Sequence, residues 1–321
     1  MSTLTSPLHQ LDQQIIAKQI LVTKNNIKEG ASSIELVVLA DISLTQLSEL
    51  CDSCHLTLNA INAVNQRNNQ QSYRFDVEEE LIKDLSVTRK KLAEFAQQNK
   101  IEAILIKNAP KLNDAGLLVM DMDSTTIQIE CIDEIAALAG VGEQVAEVTE
   151  LAMQGKLDFA QSLHQRVATL ANSPERILMD VAKNIPLMPG LTTLIETLKQ
   201  HNWRIAIASG GFTYFSEHLK AQLGLDDTFA NTLEIIDGKL TGKVLGDVVD
   251  AQAKADSIKH LSDKYGISKS QTVAMGDGAN DLLMMAQAQL GVAFHAKPIV
   301  LAKADTCIHF SGLDLLIHWL K

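Results

Sequence analysis

Two carboxylates spaced two residues apart close an apolar run, Gly116-Leu-Leu-Val-Met-Asp121-Met-Asp123. Continuous Leu, Val and Met read as a parallel strand buried on both faces. Open α/β sheets place their ligand crevice at the carboxyl ends of such strands. Residues two apart in an extended segment point to the same side, so Asp121 and Asp123 would face one crevice. Adjacent carboxylates repel each other unless a cation lies between them or they divide acid and base roles. An aspartate capping the next helix accounts for the same spacing.

The arrangement recurs. Arg204-Ile-Ala-Ile-Ala208 ends in Ser209-Gly210-Gly211, and Thr272-Val-Ala-Met275 ends in Gly276-Asp277-Gly278-Ala-Asn280-Asp281. Each apolar run precedes a segment of helical spacing, which makes three βα units of one sheet. Neighbouring parallel strands would bring Asp121, Asp123, Ser209, Asp277 and Asp281 to one edge. Ser209 and Gly210 are expected to open a helix running to about Leu223, where a hydroxyl and free amides would cradle a phosphate; an ordinary N-cap serine is the simpler account. Asp277 is either a cation ligand or a helix cap.

With these segments in place the chain resembles the haloacid dehalogenase-like hydrolases. Asp121-Met-Asp123-Ser-Thr125 looks like the first motif of that family, Ser209 the second, and Gly276-Asp277 through Asp281 the fourth. Lys254 is the best placed match for the lone lysine of the third. Ile129-Glu130, Glu134, Gly155-Lys-Leu-Asp-Phe159, Arg166-Val167, Pro189-Gly190 and Ile207 through Phe212 narrow the resemblance to the bacterial phosphoserine phosphatases, over residues 113 to 321.

The resemblance implies Mg²⁺-dependent hydrolysis of O-phospho-L-serine, the last step of serine biosynthesis, through an aspartyl-phosphate. Asp121 would be the nucleophile and Asp123 the acid, then base. A phosphate monoester approaching Asp121 to about 4 Å pays roughly 4 kcal/mol per pair of unit like charges at an effective dielectric near 20. Mg²⁺, which prefers oxygen ligands, would offset this, held by Asp121, Asp277 and, as the resemblance suggests, the carbonyl of Asp123. Lys254, Ser209, Gly210 and Asn280 would bind the phosphate end. Arg166 would hold the substrate carboxylate and Glu130 the ammonium, with Met153, Phe159 and Asp281 in support. Taken without the resemblance, Lys254 is a surface lysine, Arg166 a snorkelling side chain, Glu130 a cap and Met153 a helix-core residue. Asp123 favours phosphoryl transfer, because a halide leaving group needs no proton.

The elements that must position these residues fall into two sets. A seam at 109–115, turn-rich and holding Pro110, separates them. Before it, a strand at 34–39, a helix at 45–54, strands at 56–64 and 72–77, a helix at 84–98 and a strand at 101–106 give βαββαβ, the ferredoxin-like order. Residues 1–19 are expected to form a flexible arm and 20–110 a ferredoxin-like domain related to amino-acid-sensing modules. Residues 113–321 are expected to be a Rossmann-like α/β phosphatase core with a helical cap at about 131–186, built from helices near 130–138, 143–154, 159–171 and 174–183. Asp237-Gly238 between β-rich arms predicts a hairpin.

At 321 residues and 46% hydrophobic, the chain can bury the cores of two domains. A net charge of -11 argues against nucleic acid and anionic membranes as partners. No apolar run is long enough to cross a bilayer and no secretion signal pattern opens the chain, so a cytoplasmic enzyme is expected, with a homodimer possible through exposed sheet edges. Cys51 and Cys54 suggest a metal pair only superficially, since no second pair completes a zinc site; buried thiols are expected. Two other readings stay open: a phosphatase for a related amino-acid phosphate such as phosphohomoserine, and an amino-acid-binding regulator with a vestigial phosphatase core.

Overall fold

The computed structural model describes residues 7–8 and 33–321. The arm expected at 1–19 therefore lies outside the described residues except for Pro7 and Leu8, as does the 20–32 stretch of the expected first domain. Pro7 bridges Ser43, and Leu8 is fully buried against the N-terminal sheet.

The first unit runs β1 (Ile34–Leu39), α1 (Leu44–Cys54), β2 (Leu58–Arg67), β3 (Gln70–Val77), α2 (Leu85–Asn99) and β4 (Ala103–Lys107). Its antiparallel sheet has the order β2-β3-β1-β4. Helix α1 starts at Ser43 through a reciprocal capping box with Gln46, and α2 at Asp84, which accepts from the amides of Ser86 and Val87. Side chains alternate across a strand, so Leu36 and Val38 of β1 join one apolar cluster with α1 and α2. Val37 and Leu39, with Ile104 and Ile106 of β4, face the other way, into the core of the second unit. Both faces of this sheet are thus covered. The strand expected at 56–64 continues to Arg67, because a tight turn at Asn68 and Asn69, both left-handed, returns the chain directly into β3.

The second unit is an α/β sandwich with a seven-stranded sheet of order β11-β10-β9-β5-β6-β7-β8. Strand β5 (Leu117–Met120) is central. Of the five helices between it and the next strand, the first four are α3 (Cys131–Ala139), α4 (Gly142–Met153), α5 (Phe159–Thr169) and α6 (Arg176–Ala182). Then come α7 (Leu191–Gln200), β6 (Arg204–Phe212), α8 (Thr213–Leu223), β7 (Asp227–Ile236), β8 (Lys239–Leu245), α9 (Ala251–Tyr265) and β9 (Thr272–Gly276). The chain closes with α10 (Leu282–Gln287), β10 (Leu290–Phe294), α11 (Pro298–Leu301), β11 (Thr306–Ile308) and α12 (Leu316–Trp319). Only β8 is antiparallel to its neighbour, joined to β7 by the Asp237-Gly238 turn; both turn residues have positive φ, which matches the right-handed twist of the hairpin arms.

The C-terminal segment binds the two units together. Arg74, 1% exposed, pairs with Glu35 at 3.0 Å and donates to the carbonyls of His318, Trp319 and Leu320. Arg67 donates to the carbonyls of Ile317 and Leu320. The last carbonyls of a helix have no partner within it, and here the first unit supplies the donors. Glu102 accepts from the amides of His309, Phe310 and Ser311 across the same boundary.

The four cysteines are free, and burial pushes the thiols of Cys51 and Cys54 up to about 12 and about 11. No helix among the described residues is long and apolar enough to cross a membrane.

Candidate active site

Strands β6 and β9 flank β5, with Met120 opposite Ile207 on one side and Met275 on the other. Asp121, Ser209 and Asp277 therefore emerge at the same edge, where β5 and β9 stop and β6 runs on to Phe212. From β5 the chain moves on to β6 and from β9 to β10, in opposite directions across the sheet, so Asp121 and Asp277 straddle a topological switch point. A crevice of about 350 Å³ opens there, walled by the sheet edge and by α3 and α5. Asp121, Asp123, Glu130, Phe159, Arg166, Ser209, Gly210, Asp277 and Asn280 all line it.

The loop after β5 is wound tightly. The carbonyl of Met122 accepts from the amides of Thr125, Thr126 and Ile127, and Ser124 takes a left-handed φ of 58°. Asp121 is nearly buried, its Oδ1 accepting from the Met122 amide at 2.8 Å. Lys254 Nζ lies 2.8 Å from the same oxygen and 2.8 Å from Asp281 Oδ1. Lys254 is 1% exposed, not the surface lysine that position in a helix suggests. It rises from the first turn of α9, which Asp250 caps, and stands behind Asp121, off the crevice wall. Burial lowers its pKa, but Asp121 and Asp281 outweigh this and hold it above the ordinary lysine value.

Asp123 accepts from the Cys131 amide at 3.3 Å. Burial, then the charges of Glu130 and Asp121, push its carboxyl up to about 8. Glu130 is the N-cap residue of α3, yet its side chain does not cap; it accepts from the Ser124 hydroxyl at 2.8 Å and remains on the crevice wall. Burial and then Asp277 and Asp121 raise its pKa.

Ser209 departs from expectation. Strand β6 continues through it to Phe212, and α8 begins only at Thr213, so Ser209 is not a helix N-cap and no helix N-terminus cradles its neighbours. Its hydroxyl accepts from the Gly211 amide at 2.9 Å. The two glycines answer to close approach: a Cβ on Gly210 would meet Phe159 at 2.5 Å, and one on Gly211 would meet Met122 at 2.7 Å and Asp123 at 3.0 Å. Met153 also departs. It ends α4, 71% exposed and off the crevice wall, so no substrate contact arises from its place here.

On the wall opposite the sheet edge, Asp158 and Gln161 form a capping box that starts α5, and Phe159, Leu163 and Arg166 present one face to the crevice. Arg166 Nε is buried with no hydrogen-bond partner. Burial lowers its pKa, while Asp133, Glu130 and Asp123 oppose the shift.

The carboxylates of Asp121, Asp277 and Asp281 offer oxygens within 4.8 Å of one another. Oxygen donors of this kind suit a hard divalent cation. Asp281, expected only to support the site, joins this carboxylate cluster, although both its oxygens are engaged, by Lys254 and by the Gly278 amide. Asp277, accepting from Thr125 at 3.3 Å, has its pKa raised by burial and then by Asp121, the condition a cation would relieve.

Several participants were not singled out from the sequence. Asn231, 1% exposed, donates to the Gly210 carbonyl and accepts from the Val249 amide, clamping the Ser209 loop. Thr125 and Ser124 orient Asp277 and Glu130. Lys297 and Ile132 complete the wall. None carries a local sequence signal beyond its residue type.

A model of the haloacid dehalogenase-like hydrolase family matches residues 116–289. The phosphoserine phosphatase of Vibrio cholerae serotype O1 is 62% identical over 208 residues, 65% of this chain and 63% of that protein, so the match spans less than two thirds of that relative. The crystal structure of a probable phosphoserine phosphatase from Vibrio cholerae, unliganded, superposes on 100% of this chain and 96% of its own with a TM-score of 0.79 and 43% identity. A substrate-bound phosphoserine phosphatase complex covers 65% of this chain and 99% of its own, with a TM-score of 0.61 and 42% identity.

Proposed function

The chain belongs to the haloacid dehalogenase-like hydrolases, and from that premise we propose that it hydrolyses O-phospho-L-serine to L-serine and phosphate, the last step of serine biosynthesis. The observation that carries the substrate is the pairing of Arg166, whose buried Nε lacks a partner, with Glu130 on the same wall. A planar anion satisfies the guanidinium, and an ammonium satisfies the carboxylate. Phosphoserine carries both groups, and its phosphate then points to Asp121. The substrate-bound relative supports the same assignment.

Asp121 attacks phosphorus while Asp123 gives its proton to the departing serine oxygen. An aspartyl-phosphate forms as the ester bond breaks. Asp123, now a carboxylate, takes a proton from water as that water attacks phosphorus, releasing phosphate and restoring Asp121. Ser209, Gly210 and Asn280 bind the phosphate oxygens, and Lys254 balances the charge behind Asp121. Asp121, Asp277 and the Asp123 carbonyl would hold Mg²⁺, which neutralises phosphate charge when bound. Phe159 packs against the substrate carbon chain.

Residues 20–110, of which 33–110 are described, belong to a ferredoxin-like domain of the amino-acid-sensing kind, and 113–321 form the phosphatase core with its cap at about 131–186. The observed β2-β3-β1-β4 order supports the first assignment. The enzyme works in the cytoplasm, does not bind nucleic acid, and can pair as a homodimer through sheet edges.

The test is turnover of phosphoserine with Mg²⁺, following L-serine and phosphate together, beside phosphohomoserine. Equal kcat/KM for the two would remove the phosphoserine assignment. Full activity in a strong chelator would remove the metal.

A further inference from the structure

The crevice poses an electrostatic problem. Its substrate is anionic, the chain carries a net charge of -11, and four carboxylates, Asp121, Asp123, Glu130 and Asp277, stand on its wall. Lys254 is buried between two carboxylates and has little charge to offer at the entrance. Arg166 is largely buried on the cap side. Lys297 is the one other cation on the wall, and it is exposed. It makes no ion pair among the described residues.

The fold fixes where that charge stands. Strand β10 runs parallel to β9 with Ala293 opposite Gly276, so the loop after β10 leaves the sheet at the edge that bears Asp277. Lys297 is the N-cap residue of α11, and Pro298 follows it at the first helical position. Proline there fixes its own φ and restricts the residue before it, which holds the Lys297 backbone extended. Its φ of -66° and ψ of 154° agree.

We propose that Lys297 is the capture residue of the crevice, a specificity-determining cation at its mouth that draws in the phosphate dianion and holds it until Asp121 is reached. This rests on the phosphate-ester reading of the same site. A charge at the rim of a low-dielectric cleft raises the local concentration of an opposite ion, and salt screens the effect over a Debye length of about 8 Å at physiological ionic strength. Lys297 thus contributes to encounter and binding, leaving bond breaking to Asp121 and Asp123.

The experiment compares Lys297→Met, Lys297→Arg and Lys90→Met, the last removing an exposed charge from the N-terminal unit. At low ionic strength Lys297→Met lowers kcat/KM for phosphoserine by about fivefold to tenfold with kcat held within about twofold, and the deficit shrinks to about twofold at high salt. Lys297→Arg restores most of the loss, and Lys90→Met follows the wild type. Calorimetric titration of inorganic phosphate into the Mg²⁺-containing protein gives a second readout, weaker in Lys297→Met, and it remains decisive if phosphoserine proves not to be the substrate. Wild-type phosphate affinity in Lys297→Met, or a fall in kcat as large as that in kcat/KM, overturns the proposal.

Discussion

Lys254 Nζ sits 2.8 Å from Asp121 Oδ1 and the same distance from Asp281 Oδ1, with all three side chains nearly closed to solvent. One buried cation therefore balances Asp121 and Asp281 together. Burying charge without a partner is costly, so this lysine offsets the desolvation of both carboxylates.

Removing the ammonium should show this directly. Lys254→Met leaves two buried carboxylates uncompensated and is expected to cost about 3–5 kcal/mol of stability. Phosphoserine turnover should fall by about two to three orders of magnitude, the scale of losing one preorganised charge-stabilising donor. Denaturant unfolding and steady-state kinetics check both. A stable, active Lys254→Met variant would mean that Asp121 is not held by this pair.

Substrate discrimination follows from Arg166 and Glu130. Phosphoethanolamine lacks the carboxylate and leaves the buried Arg166 Nε without a partner, which should cost roughly two to three orders of magnitude in kcat/KM, whereas phosphoglycolate lacks the ammonium and leaves only the exposed Glu130 unpaired, which should cost about tenfold or less. Arg166→Lys should not recover the loss, because an ammonium cannot meet a carboxylate bidentately. Comparable kcat/KM for the three esters would separate these residues from substrate choice.

Stability should depend on pH through His318, fully buried at the domain boundary. Nε2 donates to the Arg67 carbonyl and Nδ1 lies 2.9 Å from the Ser72 hydroxyl, a pairing that a neutral ring satisfies. Burial, with the charges of Arg67 and Arg74 adding to it, lowers the His318 pKa from 6.5 to about 4. The unfolded chain takes the proton first, so the stabilisation is present above about 6.5 and is lost as pH falls toward 4. The loss should be on the order of 2–3 kcal/mol, and His318→Gln should flatten it. Melting curves from about pH 8 to about 4.5 decide, a range that brackets most of this titration; an unchanged slope in the variant would assign the loss to other groups.

The boundary itself can be cut. A fragment beginning at Leu112 removes Val37, Leu39, Ile104 and Ile106 from the shared core, together with the Arg67 and Arg74 caps on the last helix. Exposing that apolar face and orphaning those carbonyls should lower Tm by about 10 °C or more. Calorimetry of the fragment beside the full chain tests this, and equal melting temperatures would show that the boundary contributes nothing.

Much of the site is legible along the chain itself. Asp121, Asp123, Asp277 and Asn280 sit at the ends of apolar runs, and a strand end is a local signal: a few contiguous residues specify both the strand and where it stops. The same holds for the β1 span and the Asp237-Gly238 turn, where pattern and turn chemistry act over a handful of neighbours. Ser209 falls at the expected edge but in a different element. Whether its backbone continues as strand or starts a helix depends on pairing between β6 and β7, which brings Phe212 opposite Asn231.

What only the tertiary structure decided is burial and distant pairing. Nothing near Lys254 in sequence says that Asp121 and Asp281 will enclose it. Nothing in Val37 or Ile104 says which of two units their face will join. The Arg74 caps reach carbonyls as many as 246 residues away, and the amide of Asn231 finds the Gly210 carbonyl only after the α8 crossover lays β7 beside β6. Sequence pattern reports periodicity along the chain; desolvation and charge pairing depend on what the folded chain places around a group.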